Sequence, residues 1–196
     1  MSTLSRAVLR GGIGFCFVSL LVFATVAFGE RWMYARLGEM GAYIVWTLAF
    51  ILLGGTVLGS LIADSRWRLP KFYLLWGLAF FAYAAGWVFA YFTLRGAAGE
   101  WVGSLVGSLL MTTVFALGFK AARSIPKLSL LLFTANSAGY FLGSMLNEYV
   151  GGRSGMLLWG IAYGLLLGAA LGTLLSILQK PRNVRPSDYC ARPNEL

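Results

Sequence analysis

Apolar residues collect in six long stretches separated by short polar connections: Gly11 to Gly29, Gly41 to Ala63, Phe72 to Leu94, Trp101 to Phe119, Leu128 to Leu146 and Gly155 to Leu178. Each is close to the about 20 helical residues needed to cross roughly 30 Å of hydrocarbon. The pattern predicts an all-α, polytopic integral membrane protein. Six transmembrane helices over 11–29, 41–63, 72–94, 101–119, 128–146 and 155–178 form one bundle within residues 1–180. A short basic tail, 181–196, follows. The first stretch has the layout of a secretory signal, with Arg6 and Arg10 ahead of it and Ala27-Phe28-Gly29 at its end. Its apolar run is longer than a usual signal core, and it is read as a retained helix.

The connections carry nearly all the charge. Arg6, Arg10, Arg66, Arg68, Lys71, Lys120, Arg123, Lys127, Lys180, Arg182, Arg185 and Arg192 fall on one side when six crossings are counted. Arg31, Arg36, Arg95 and Arg153 fall on the other, balanced by Glu30, Glu39, Glu100 and Glu148. Basic loops stay in the cytoplasm, so both termini are expected there, in an inner or plasma membrane. The formal net charge of +9 is then a topology signal that also suits anionic lipid, and nucleic acid is not an expected partner. A 59% hydrophobic composition with 12% charged residues agrees, because a soluble domain of that make-up would leave large apolar areas in water.

The chain contains no histidine, which excludes Ser-His catalysis, His-metal sites and His proton relays. Cys16 lies in the first helix and Cys190 in the tail, so no disulfide or metal site is implied. With no catalytic constellation, no enzyme activity and no cofactor are expected.

Glycines recur at helical spacing, above all Gly160, Gly164, Gly168 and Gly172 in the last helix. Such a smooth face lets helix backbones approach closely, either within the chain or between subunits. Trp76, Phe80, Tyr83, Trp87 and Tyr91 form an aromatic stripe on the third helix, expected to face lipid or to pack. Trp32, Tyr34, Trp101 and Tyr149 at one set of helix ends, and Trp67, Phe72 and Tyr73 at the other, suit the head-group layers. The two connections on the basic side end alike, in Leu69-Pro70-Lys71 and Ile125-Pro126-Lys127, with proline placed for a first helical turn.

The stretch Gly59-Ser60-Leu61-Ile62-Ala63-Asp64, followed by Arg66, Trp67 and Arg68, resembles the loop between helices 2 and 3 of the major facilitator superfamily. Ala63, Asp64 and Arg68 match that family's motif, whereas Ser60 and Trp67 replace its glycines. Asn136 to Ser144 with Gly151-Gly152-Arg153 is similar to the family's glycine-rich fifth helix and the turn after it. The resemblance implies one six-helix half of a transporter, which would act as a homo-oligomer. It also implies that Asp64, Arg66, Arg68 and Lys71 form a cytoplasmic gate; read by charge alone, the cluster is either such a latch or a solvated loop.

No helix centre carries Asp, Glu, Lys or Arg, which disfavours ion-coupled pumping and points to a neutral or weakly polar solute. Asn136, Ser137 and Tyr140 lie within about one turn and form a candidate polar pocket or an interhelical hydrogen-bond cluster. Asn147, Glu148 and Arg153 form a candidate outer vestibule. The expected partners are membrane lipid, a small solute and further copies of the chain. The alternative is a non-catalytic accessory subunit of a larger membrane complex that binds lipid, pigment or protein.

Overall fold

The structure, a computed structural model, describes residues 3–62 and 69–179, and these residues are helical except at short connections. Helix α1 runs Thr3–Gly59, α2 Leu69–Leu94, α3 Gly96–Gly118, α4 Ile125–Val150 and α5 Gly152–Leu178, with one 3-10 turn at Ala122–Ser124. Pro70 and Pro126 sit in the first turns of α2 and α4, where a missing N–H costs nothing.

Helix α1 is two rods. At Gly38 the backbone leaves helical geometry (φ 70°, ψ 173°), a region open essentially to glycine alone. The chain reverses there, because the second arm (residues 39–59) lies back along the first (3–37). A Cβ at Gly14 would collide with Val57, Phe15 stacks on Phe50 at 5.8 Å, and Tyr34 meets Trp46 at 6.0 Å. The sequence predicts a loop across residues 30–40, and the structure corrects this to helix interrupted by one residue. Glu30, Arg31, Arg36 and Glu39 read as loop charge, yet Glu and Arg are good helix formers and extend both arms.

Two more reversals at the same end repeat this device. Arg95 (φ 56°, ψ 163°) joins α2 to α3, and Gly151 (φ 71°, ψ 170°) joins α4 to α5. Both are followed by a positive-φ glycine, Gly96 or Gly152, and are closed by the same bonds. Arg95 N–H donates to the Tyr91 carbonyl at 2.8 Å as Gly151 N–H does to Asn147 at 2.8 Å. The two hairpins also match in packing, with the large and small partners exchanged. Tyr83 and Trp87 of α2 cover Gly107 and Gly103 of α3, whereas Gly143 of α4 is covered by the Trp159 ring of α5 and Gly139 lies against the Tyr163 backbone.

The six rods form a closed ring in chain order, each antiparallel to the next. The ring is completed by α5 lying on the first arm of α1. Here Gly160, Gly164, Gly168 and Gly172 face Phe23, Ser19, Gly11 and Ala7, backbone against backbone. The glycine face of the last helix is therefore used within the chain rather than at a subunit boundary. At the end of the ring away from Gly38, Phe15, Leu58, Phe72, Trp76 and Phe115 are wholly buried. Phe72, expected in a head-group layer, is a core residue because Gly59 leaves room for its ring.

Among the described residues, four helices are long and apolar enough to cross a membrane: Thr3–Gly59, Leu69–Leu94, Gly96–Gly118 and Gly152–Leu178. The expected count of six differs for two reasons. Thr3–Gly59 counts once although Gly38 divides it into two rods, and α4, with Lys127, Asn136, Ser137, Asn147 and Glu148, is not among the four. Apolar side chains such as Phe17, Leu74, Phe81, Phe89 and Leu130 point outward over the bundle, the surface a hydrocarbon solvent requires.

Candidate functional site

A cavity of about 330 Å³ opens among the rods toward the Gly38 end. Both arms of α1, together with α2, α4 and α5, contribute to its wall. The aromatic stripe of α2 faces inward: Phe80, Tyr83 and Trp87 line the cavity, and Trp76 lies wholly buried below it. Side-chain size explains the space. Where rings from neighbouring rods meet, they touch edge to face or tilted and hold the backbones apart. Phe23 meets Trp159 at 5.9 Å, Trp159 meets Tyr140 at 5.3 Å, and Tyr140 meets Trp87 at 5.9 Å.

The cavity ends on a buried polar network. Tyr83 Oη donates to Asn136 Oδ1 at 2.8 Å, and Asn136 Nδ2 donates to Ser104 Oγ at 2.8 Å. Ser104 and Ser137 hydroxyls are 2.7 Å apart, and the Tyr83 and Tyr163 hydroxyls 3.0 Å apart. Because Tyr83 has given its proton to Asn136, Tyr163 is the donor to Tyr83. The network joins α2, α3, α4 and α5 at one level, and it satisfies the carboxamide that would otherwise be costly in an apolar interior.

The structure distributes the sequence candidates unevenly. Asn136 and Ser137 are buried together in the network, whereas Tyr140 is one turn nearer the Gly38 end, on the cavity wall, donating to Glu100 Oε1 at 3.3 Å. Asn147 packs against Gly155, Glu148 is exposed, and Arg153 is exposed with its guanidinium 4.9 Å from the Phe28 ring. None of those three lines the cavity. Its charged lining residue is Glu30, on the extension of the first arm that the sequence reading assigned to a loop. Of the gate candidates, Lys71 is exposed in the first turn of α2; Asp64, Arg66 and Arg68 lie outside the described residues.

Sequence reasoning missed Tyr83 and Ser104 as partners of Asn136, and Tyr163 as the partner of Tyr83. A signal was present, since Tyr83 and Tyr163 each sit opposite a glycine, but it requires the hairpin register to be read. Among the described residues, no group of three or more His, Cys, Asp or Glu side chains is arranged to hold a metal ion. Comparison of the chain with known protein families, curated proteins and solved structures finds no match.

Proposed function

We propose that this protein is a multi-pass membrane protein that binds a small, largely apolar solute in the aromatic cavity, as part of a transport process. The observation that carries this reading is the cavity itself, a concave space lined by rings and closed at its base by convergent polar groups. That combination is the usual form of a small-molecule site. All six rods cross the membrane in this reading, α4 included, because its Asn136 and Ser137 are turned away from lipid into a satisfied network. Charge orients the bundle. Among the described residues Arg6, Arg10, Lys71, Lys120, Arg123 and Lys127 lie at the end away from Gly38 with no acidic residue, whereas four acidic and four basic residues lie at the Gly38 end. The positive end and both termini are then cytoplasmic, and the cavity opens outward. Kinship with one half of a facilitator, assembly as a homo-oligomer and the absence of catalysis belong to the same proposal, the first resting on the sequence motif alone.

A second reading, an accessory subunit that captures solute for a larger membrane complex, is favoured by the sealed core of Phe15, Leu58, Phe72, Trp76 and Phe115. These side chains are wholly buried at the end away from the cavity mouth. Two measurements separate the readings. Purified full-length chain in proteoliposomes exchanges a bound small aromatic solute across the bilayer if it is a transporter on its own. The complex extracted gently from native membrane is a homo-oligomer in that case, and a fixed-stoichiometry assembly with other chains in the second. Failure of the intact chain to bind any small aromatic solute saturably, together with indifference to Trp87→Ala, overturns both.

A further inference from the structure

We infer that the solute taken by this cavity is a monovalent organic cation, an ammonium head on a compact apolar body. The inference rests on the solute-binding reading above and deepens it. Phe23, Tyr43, Trp46, Phe80, Trp87 and Trp159 present rings to the cavity, and the face of an aromatic ring carries the negative part of its quadrupole. Among the described residues, Glu30 is the charged residue of this wall, half-buried, and no Lys or Arg contributes to the lining. A second carboxylate, Glu100, reaches the same wall through the hydroxyl of Tyr140. The basic residues of this end are placed elsewhere. Arg95 lies 4.9 Å from the Phe92 ring and Arg153 the same distance from Phe28, and Arg31 and Arg36 are exposed.

The base of the cavity points the same way. The proton of Tyr83 is committed to Asn136 and that of Tyr163 to Tyr83, so the two phenols offer the cavity acceptor lone pairs rather than donors. An anion entering this space would meet the Glu30 carboxylate with no Lys or Arg among the described lining residues, the indole N–H groups of Trp46 and Trp159 being neutral donors. A neutral solute would leave Glu30 partly desolvated without a counter-charge, which costs free energy. A cation offsets that cost, and its apolar body fills the ring-lined slot. The volume of about 330 Å³ is at the lower end for small-molecule sites, which selects a compact ligand. The absence of charge at the helix centres, which suggested a neutral solute, does not bear on this cavity, because its carboxylate is at the mouth.

The test uses the full-length chain in lipid nanodiscs, with intrinsic tryptophan fluorescence as readout and two probes of nearly identical shape. These are benzyltrimethylammonium and its uncharged carbon isostere, neopentylbenzene. The expected result is saturable binding of the cation in preference to the isostere, weakened about tenfold by Glu30→Gln. Glu30→Asp, which keeps the charge, retains most of the affinity, and Glu148→Gln, outside the cavity, leaves it unchanged. If neopentylbenzene binds as tightly as the cation, or Glu30→Gln leaves cation binding unaltered, the cationic assignment is overturned while the solute-binding reading stands. If neither probe binds, the cationic assignment falls, and the solute-binding reading is then decided by the wider solute panel and Trp87→Ala.

Discussion

The first arm of α1 faces two very different neighbourhoods. Against α5 it meets a row of glycines, and the backbones lie so close that a Cβ at Gly11 would stand 2.5 Å from the Gly168 carbonyl oxygen. One at Gly164 would stand 2.7 Å from Cys16 Cα. Toward the ring interior at the Gly38 end, the same arm presents Phe23 and Val26 to the cavity, Phe23 meeting Trp159 and Tyr163 of α5, and there the bundle stays open. Both regions are apolar, so hydrophobicity does not distinguish them. Side-chain size does: without a hydrophobic drive between helices in lipid, close packing of small residues supplies dispersion energy, whereas large rings meeting edge to face prop the rods apart. In the proposed function, the seam is the rigid spine and the aromatic side is where the solute fits.

The strongest way to break this contrast is to put a side chain into the seam. Gly168→Leu drives carbon into the Gly11 carbonyl and Phe15, and since both sides are backbone or core, relief requires moving a whole rod. The expected loss is about 3 kcal/mol or more, read as a lowered midpoint or loss of a monodisperse peak in detergent. Leu165→Ala, at an exposed position of the same helix, is the control and changes little. The next effect is at the cavity base. Asn136→Ala strips Tyr83 and Ser104 of a partner at once, and unfolding in mixed micelles is expected to show a loss of about 1–2 kcal/mol.

A smaller change sharpens the comparison by relaxing the cavity side. Arg95 holds a backbone conformation that Gly38 and Gly151 adopt without a Cβ penalty at the equivalent reversals. Arg95→Gly is expected to raise stability by about 1 kcal/mol, less what is lost from the contact with Phe92, and a higher melting midpoint is the check. Least of all is Glu148→Gln. This exposed carboxylate lies outside the cavity, so the midpoint should move by no more than about 0.5 kcal/mol equivalent.

Much of the layout is legible in the chain. The apolar stretches place five of the six rods within about five residues while the first arm overruns its stretch at both ends, Pro70 and Pro126 mark two helix starts, and the sorting of Arg and Lys among the described residues matches the two ends of the ring. The site was less legible. Asn136 and Ser137 stand out as polar residues in an apolar run, but their partners, Tyr83 and Ser104, come from two other helices. Glu30 was hidden because a charged residue following an apolar stretch looks the same in a loop and in a helix that outruns its apolar stretch. Phe72 misled for a similar reason, since an aromatic ring near a helix end suits an interface until a glycine opposite makes room for it.

The sequence by itself determined that this chain forms apolar helical rods of membrane-spanning length with charge held at their ends. That follows from a one-dimensional property, the run length of residues that water rejects. Which faces of those rods touch was decided only in three dimensions. The swapped pairs Trp87–Gly103 and Gly143–Trp159 make no pattern in one helix alone; each large residue has its meaning from the small one across the hairpin. Register, set by single-residue reversals at Gly38, Arg95 and Gly151, turns scattered rings into one cavity, because packing depends on the sum of two facing side chains and not on either separately.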